Sequence, residues 1–233
     1  MVNKRWVLLI AAFTILTVLT GCAKEPDNKW TRLIKECTKV MTEIRKMPDQ
    51  GIPEGALLKA QAIAIFPNTI SAGIGIGGQY GQGVILVNNN GRWSPPAIFT
   101  LGGGSIGWQI GGQATDIVLL FMDKKSVDAL LSGKVKLGAD ASVAAGPVGR
   151  SASAATDIQL KGGILSYSRS RGLFIGIKLE GAVLAQHWDG NRELYGREIS
   201  ADNILIKNKV KVPRCARVLV RSLKTYSLLG RFM

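Results

Sequence analysis

Residues 73–83 read Gly-Ile-Gly-Ile-Gly-Gly-Gln-Tyr-Gly-Gln-Gly, and this stretch decides the fold class. Its period is close to two, which is typical of a β-strand and not of a helix. Of the 28 glycines, 22 lie between Gly73 and Gly181, interleaved with Ile, Val, Leu and Phe. Glycine normally weakens a strand. Alternating glycines therefore indicate a sheet face that another layer, or a ligand, approaches closely.

On both sides of this stretch the pattern predicts further strands and helices. The predicted strands are residues 62–66, 84–88, 92–93, 105–109, 116–122, 137–145, 163–168 and 172–183. Asn90-Gly91 predicts a tight hairpin. The predicted helices are residues 30–47, 54–61, 125–131, 191–195, 200–206 with Ser200 as N-cap, and a final helix from Pro213 to about residue 228. The fold class is α+β: a Gly-rich, mostly antiparallel β-sheet or barrel-like core with helices at both ends of the chain.

The first 22 residues resemble a bacterial lipoprotein signal. Lys4 and Arg5 precede an apolar run over residues 6–19, and Leu-Thr-Gly-Cys follows at residues 19–22. A transmembrane anchor and a plain cleaved signal are the alternatives, but the run is shorter than the roughly 20 residues of a comfortable span. The resemblance implies removal of residues 1–21 and acylation of Cys22, with palmitate among the chains, which anchors the protein firmly. Ala23 replaces the aspartate that marks inner-membrane retention, so the expected location is the bacterial cell envelope, at the outer membrane facing the periplasm.

The remaining chain divides into a tether, residues 22–29, and a single domain, residues 30–233. The formal charge of +14 falls to +12 without Lys4 and Arg5. Such a basic surface implies an anionic partner. Nucleic acid is not expected for an exported protein, so an anionic phospholipid membrane is the predicted partner. Cys37 and Cys215 could form one disulfide, although a buried thiol is the simpler interpretation of each.

The sequence contains no convincing motif for catalysis or cofactor binding. Gly73, Gly75 and Gly78 have dinucleotide-binding spacing, but they run into another strand where that motif requires a helix. The only histidine, His187, has no metal ligand at suitable spacing. The carboxylates are scattered singly over strands and strand ends, and no serine occupies a nucleophile elbow. The chain is therefore predicted to be no enzyme, with no metal and no cofactor.

The C-terminal segment carries the candidate binding residues. From Lys207 onward there are eight basic residues and no acidic one. Four of them recur at helical spacings of three, four and three, so they share one face of the last helix. That arrangement is typical of a helix at an anionic membrane surface, and equally of the solvated outer face of a docked helix. The predicted lipid-binding residues are Lys207, Lys209, Lys211, Arg214, Arg217, Arg221 and Lys224.

Several segments, in order, resemble the SYLF domain family over about residues 50–228. They are residues 64–67 (Ala-Ile-Phe-Pro), 77–83, 93–96 (Trp-Ser-Pro-Pro), 102–112, 116–121, 136–138, 144–147, 167–174 (Tyr-Ser-Arg-Ser-Arg-Gly-Leu-Phe), 179–182, 195–196 and 201–205. The resemblance implies a lipid-binding domain without established catalytic residues. Eukaryotic members bind phosphoinositides, fungal members also bind actin, and bacterial members are commonly exported lipoproteins.

The resemblance also suggests a role for the first helix. In eukaryotic members an amphipathic N-terminal helix with basic residues contributes to lipid binding. Lys35, Lys39, Arg45 and Lys46 are the possible counterpart here, although Glu36 and Glu43 interrupt them. Actin is an unlikely partner for an exported bacterial protein. The predicted function is therefore anionic phospholipid binding by a lipid-anchored protein, and the alternative is a non-enzymatic envelope scaffold that binds another protein or a glycan.

Overall fold

Two very long strands organise the protein. A computed structural model describes residues 28–46, 51–149, 163–170 and 173–229. The helices are α1 (Lys29–Lys46), α2 (Glu54–Lys59), α3 (Lys124–Leu131), α4 (Trp188–Tyr195), α5 (Ala201–Leu205) and α6 (Arg217–Leu229), the last preceded by a 3-10 turn over Arg214–Ala216. The strands are β1 (Ala62–Asn89), β2 (Arg92–Trp93), β3 (Ala97–Phe121), β4 (Lys134–Lys136), β5 (Val143–Ala145), β6 (Ile164–Ser170), β7 (Leu173–Gly176) and β8 (Val183–Gln186).

Local signals predicted the helices well. Helix α1 begins one residue earlier than expected, at Lys29, because the Asn28 side chain accepts a hydrogen bond from the Thr31 N–H at 2.8 Å. The predicted tether is therefore helical at its last residue. Ser200 caps α5, as predicted, by accepting from the Asn203 N–H. The final helix begins with a 3-10 turn after Pro213. The signal segment, Cys22 and most of the tether lie outside the described residues.

The strands differ more from the prediction. The strands predicted within residues 62–88 all belong to the 28-residue strand β1, and the 25-residue strand β3 contains both residues 105–109 and residues 116–121. The glycines do not interrupt these strands because each strand pairs with the other from Ala62↔Phe121 to Ile85↔Ala97. Register shifts occur near Thr69 and Gly75. The hairpin at Asn90-Gly91 forms as predicted, with both residues at positive φ.

Two predicted strands were wrong because a glycine turn occupies part of each of them. In residues 137–145 only β5 (Val143–Ala145) is strand, and Gly138, at φ +87°, donates its N–H to Ala141 O in the turn that separates it from β4. Gly181, at φ +83°, separates β7 from β8 within residues 172–183. Side chains other than glycine rarely adopt such φ values.

The long hairpin folds back so that the two ends of β1 lie side by side. The Asn88 N–H donates to Gln61 O at 2.7 Å. The Cys37 thiol spans the seam, donating to Ile65 O at 3.5 Å and forming a backbone hydrogen bond with Val84. In the sheet, neighbouring strands follow the order β2–β1–β3–β6–β5, while β8 pairs with β3 and β4, and β7 pairs with β6. Among the strands that the structure describes, β5 is the one that pairs in parallel, with β6.

This sheet is a strongly curled half-barrel covered on both faces, and it confirms the α+β prediction. Its two edges, β4 and β5, are joined by the short segment 137–142. On one face Ile63, Ile65, Val84 and Leu86 pack against α1, α2 and α6. On the other face the intervening residues of the same strands pack against α3, α5 and the segment between β4 and β5. The described members of both clusters lie between Trp30 and Leu223.

The middle of the long hairpin leaves this covered sheet. We call it the glycine ribbon: residues 69–80 of β1 paired with residues 102–115 of β3. The register shift at Ile74/Gly75 leaves Trp108 and Gln109 without an opposite residue in β1. At the base of the ribbon the two ends of β1 approach each other so closely that glycine is required, because a Cβ on Gly81 would overlap the Thr69 side chain. The close-approach interpretation of the alternating glycines is therefore correct here.

Candidate functional site

The basic surface is built on α6, which the core holds in one orientation. Ala216, Leu219 and Leu223 are almost fully buried against the helical layer. The Trp93 Nε1–H donates to Leu223 O at 3.1 Å and ties the helix to β2. Because residues three and four apart share a helix face, burial of this stripe turns the opposite face toward solvent.

All seven predicted lipid-binding residues are exposed. Arg217, Arg221 and Lys224 project from α6, and Val218, which is 60% exposed, lies among them. Arg214 lies in the 3-10 turn, and Lys207, Lys209 and Lys211 lie in the loop that precedes it. The helix is docked by its apolar side with its basic side outward. The structure thus places these residues on the surface.

Two contacts modify the charge of the loop. Lys207 Nζ lies 2.5 Å from Asp202 Oδ2, so its charge is partly balanced within α5. The Arg197 Nη2 donates to Lys209 O at 2.6 Å, which adds a guanidinium beside the loop. Sequence reasoning missed Arg197 because it precedes the basic run by ten residues and belongs to no periodic pattern. Only the contact with Lys209 reveals it.

The possible counterpart in α1 is arranged differently. Lys35, Lys39, Arg45 and Lys46 are exposed, but the apolar face of α1 lies in the core. Glu43 pairs with Arg169 of β6, which also binds Asp116 through Nε at 2.8 Å and lies over the Phe174 ring. These contacts fix the end of α1 to the sheet. The apolar side of α1 is therefore unavailable to a membrane in this conformation.

The remaining reactive side chains have structural roles. Cys37 and Cys215 form no disulfide, and burial raises the pKa of Cys37, which keeps it protonated and unreactive. The His187 Nδ1 accepts from the Gly190 N–H at 2.9 Å and caps α4, while its ring contacts Trp30 edge-on. It is thus a packed histidine.

Asp123 is another structural carboxylate. It accepts from the Ser126 N–H at 2.7 Å and from the Gly163 N–H at 2.6 Å, so it caps α3 and holds the start of β6. Burial opposes its ionisation, but the hydrogen bonds from Gly163 and Ser126 outweigh that effect and lower its pKa. Within the described part of the chain, no group of three His, Cys, Asp or Glu is placed to hold a metal ion. No helix among the described residues is both long and apolar enough to cross a membrane.

The fold and this surface define an α+β domain with a docked, basic C-terminal helix. A family model described as Ysc84, Las17-binding protein actin regulator, matches residues 102–226. Protein YSC84 of Saccharomyces cerevisiae is 35% identical over 181 residues, which are 76% of this chain and 38% of that protein. SH3 domain-containing YSC84-like protein 1 of Homo sapiens is 31% identical over 184 residues, 78% of this chain and 53% of that protein.

The chain belongs to the Ysc84 family, which is the SYLF domain family. The rat YSC84-like protein 1 extends the match to 206 residues, 88% of this chain and 59% of that protein, at 31% identity. The chain thus spans between about two fifths and three fifths of the length of the relatives it matches. The similarity concerns this domain, and the activities of the whole relatives are not carried over by it.

Proposed function

We propose that this protein is an exported, lipid-anchored protein that binds anionic phospholipid through its SYLF domain. The observation that carries this proposal is the orientation of α6, with an apolar stripe buried in the core and Arg217, Arg221 and Lys224 exposed. Each Lys or Arg near an anionic membrane surface contributes about 1 kcal/mol, reduced by salt. Guanidinium groups also form charge-assisted hydrogen bonds with phosphate. The domain then acts as a binding module and not as an enzyme.

The proposed anchor places this surface near the membrane. Acylation of Cys22 leaves only residues 22–28 before α1, a segment that extends at most about 25 Å. A domain held at that distance meets head groups at high effective concentration, so even weak contacts lead to occupancy. We propose the outer membrane, facing the periplasm, as its location. Mass spectrometry of the protein from its native membrane tests this: a diacylglyceryl group and palmitate on Cys22 are expected.

The binding surface is tested with residues 24–233, which contain every described element and both core clusters. We expect salt-sensitive binding to vesicles of phosphatidylcholine with phosphatidylglycerol. The variant R214Q/R217Q/R221Q/K224Q should lose that binding. A matched control is K124Q/K125Q/K134Q/K136Q, which removes the same charge from exposed positions on α3 and β4. Unchanged binding of the first variant would refute the site, and equal loss in both would reduce the effect to net charge.

The second candidate is an envelope scaffold that binds another protein or a glycan. It is favoured by the description of the family, Las17-binding protein actin regulator, and by the name of a yeast relative, LAS seventeen-binding protein 3. Both names describe protein binding. An exported protein meets no actin, so we do not extend that partner to this chain. Crosslinking in cells followed by purification separates the candidates: a scaffold brings a stoichiometric partner, and a lipid-binding protein brings phospholipid.

A further inference from the structure

The register of the glycine ribbon sorts its residues by chemistry. Cross-strand partners lie on the same face of a two-stranded ribbon, and faces alternate along each strand. Among the residues whose side chains the structure describes, one face, which we call the outer face, contains Ile70, Ala72, Gly78 and Tyr80 of β1 with Gly102, Gly104 and Ala114 of β3. The described residues of the opposite face, which we call the inner face, are Thr69, Ser71, Gly77 and Gln79 of β1 with Gly103, Gln113 and Thr115 of β3.

The apolar face of this ribbon is the exposed one. Ile70 and Tyr80 are 58% and 54% exposed, and Ala72 and Ala114 are exposed as well. On the inner face Thr69 is fully buried against Gly81. Water-soluble sheets with one solvated face show the opposite arrangement, with apolar residues inward. In the glycine ribbon, therefore, the apolar face is more exposed to solvent than the polar face.

The absence of charged residues from the ribbon agrees with an apolar face that does not remain in water. Lys, Arg, Asp and Glu make up 20% of the chain, yet none occurs in residues 69–82 or 100–115. Exposed strands in soluble proteins usually carry charges, particularly Lys, that keep them from associating. Tyr80 is of the aromatic type that is enriched where apolar and aqueous phases meet. The ribbon therefore has the chemistry of a surface that leaves water.

The outer face belongs to the same face of the sheet that α1 and α6 cover farther along the strands. Tyr80 continues the alternation of Val84 and Leu86, whose side chains pack under the layer of α1 and α6. Ala114 likewise continues the alternation of Val118 on β3. The outer face is therefore the part of this sheet face that the helices do not cover. Arg217 and Arg221 project outward from that same helical layer.

We propose that the outer face of the glycine ribbon inserts into the boundary between head groups and acyl chains of a phospholipid bilayer. This rests on the proposed function and adds an apolar contact to its electrostatic one. A second copy of the chain is a poor occupant, because two strands of about 12 residues offer only about 400 Å². A stable protein interface needs about 800 Å² per partner. A bilayer requires neither that area nor a complementary shape.

The test compares two double variants of residues 24–233. I70D/Y80D places two carboxylates on the outer face, and both positions are exposed, so folding is expected to persist. L173D/I175D is the matched control, since Leu173 and Ile175 are 52% and 54% exposed on β7, outside the ribbon. In 1 M NaCl, where charge attraction is screened, we expect I70D/Y80D to lose vesicle partitioning at least about tenfold. The control should partition like the parent chain.

Depth is measured separately with a tryptophan reporter and brominated phosphatidylcholine. Tyr80→Trp should add fluorescence that the bromine atoms quench, whereas Leu173→Trp should add fluorescence that they do not quench. Equal partitioning of I70D/Y80D and L173D/I175D, or absence of quenching for Tyr80→Trp, would overturn the insertion. The basic surface would then stand alone if R214Q/R217Q/R221Q/K224Q still lost binding. A lipid-free dimer that I70D/Y80D abolishes would assign the outer face to a second copy instead.

Discussion

The covered sheet and the glycine ribbon are made from the same two strands, yet apolar side chains are buried in the first and exposed to solvent in the second. In the covered sheet, residues such as Ile65 and Phe66 are buried on successive faces because helices cover both. In the glycine ribbon, the small and polar face is the less exposed one, from the buried Thr69 to the exposed Gln113, and Ile70 and Tyr80 face outward. Alternation is similar in both regions. The comparison shows that a period of two indicates which residues share a face but not which face is buried.

Glycine explains how one pair of strands serves both purposes. At Gly83 the strand passes so close to its own beginning that an added Cβ would overlap Ile65 O. At Gly102, in the ribbon, an added Cβ would meet nothing within 4 Å. The first glycine is required by packing within the folded hairpin, and the second is not. Glycine is therefore required by close packing in the covered sheet but not at this position of the ribbon.

The largest expected effect comes from filling the close approach. Gly83→Val should cost about 4 kcal/mol of unfolding free energy or prevent folding, because the backbone of Ile65 cannot move aside. Gly102→Ala should leave stability unchanged or raise it by about 0.5 kcal/mol through the unfolded chain. Urea unfolding followed by circular dichroism measures both. Similar losses at the two positions would break the distinction between the regions.

A second pair tests the burial contrast with one residue type on one strand. Ile65→Ala should cost about 3 kcal/mol, because Ile65 is fully buried and its removal leaves a cavity. Ile70→Ala should change stability by less than about 0.5 kcal/mol, since its side chain is 58% exposed. Thermal unfolding of each variant checks this. A cost at Ile70 as large as at Ile65 would mean that the ribbon is packed against protein.

The boundary between the two regions is held by Arg169. Its side chain joins Asp116, which also accepts from the Asn68 N–H at the start of the ribbon, to Glu43 of α1. Arg169→Met leaves the buried Asp116 and the half-buried Glu43 without this partner and should cost about 2 kcal/mol, less than a fully buried pair. Arg192→Met is the control, because the ion pair of Arg192 with Asp189 is exposed and should cost under about 0.5 kcal/mol. Denaturant midpoints should rank the two variants in this order.

The smallest effect depends on pH and concerns the other edge of the covered sheet. The hydrogen bonds from Gly163 and Ser126 lower the pKa of Asp123, so its contribution is present above the ordinary value near 3.9 and is lost as pH falls through the lower folded value. Asp123→Ala should cost about 1.5 kcal/mol at pH 7, and the cost should shrink as pH falls from about 4 to 2. Melting temperatures across that range measure it. Asp128→Ala, at an exposed position of α3, should show no such trend.

Much of the local structure follows from the sequence. The spacing of apolar residues in α1, the Asn90-Gly91 turn and the Ser200 cap depend on neighbours a few residues apart, and the structure confirms each of them. The basic face of α6 also follows from spacing alone. The breaks at Gly138 and Gly181 did not, because a glycine in a strand pattern has the same appearance whether it is paired or turning.

Other features depend on contacts between residues far apart in the chain. The Arg169 cluster joins α1, β3 and β6, and Arg197 reaches the basic loop only through the fold. No periodicity reports such contacts. The seam between the two ends of β1 is similar, since residues 61 and 88 meet only when the hairpin folds back. Sequence reasoning therefore found the elements of the candidate surface but not the cluster that orients them.

By itself the sequence determined the α+β class, the helices, the period of two in the glycine-rich segment, the basic C-terminal run and the resemblance of its start to a lipoprotein signal. Tertiary structure alone decided that β1 and β3 are continuous, that they fold back on themselves and that the outer face of the ribbon is uncovered. Periodicity arises from backbone geometry within a few residues. Burial arises from the partners that arrive from elsewhere in the chain, and those partners cover one half of this hairpin and leave the other exposed.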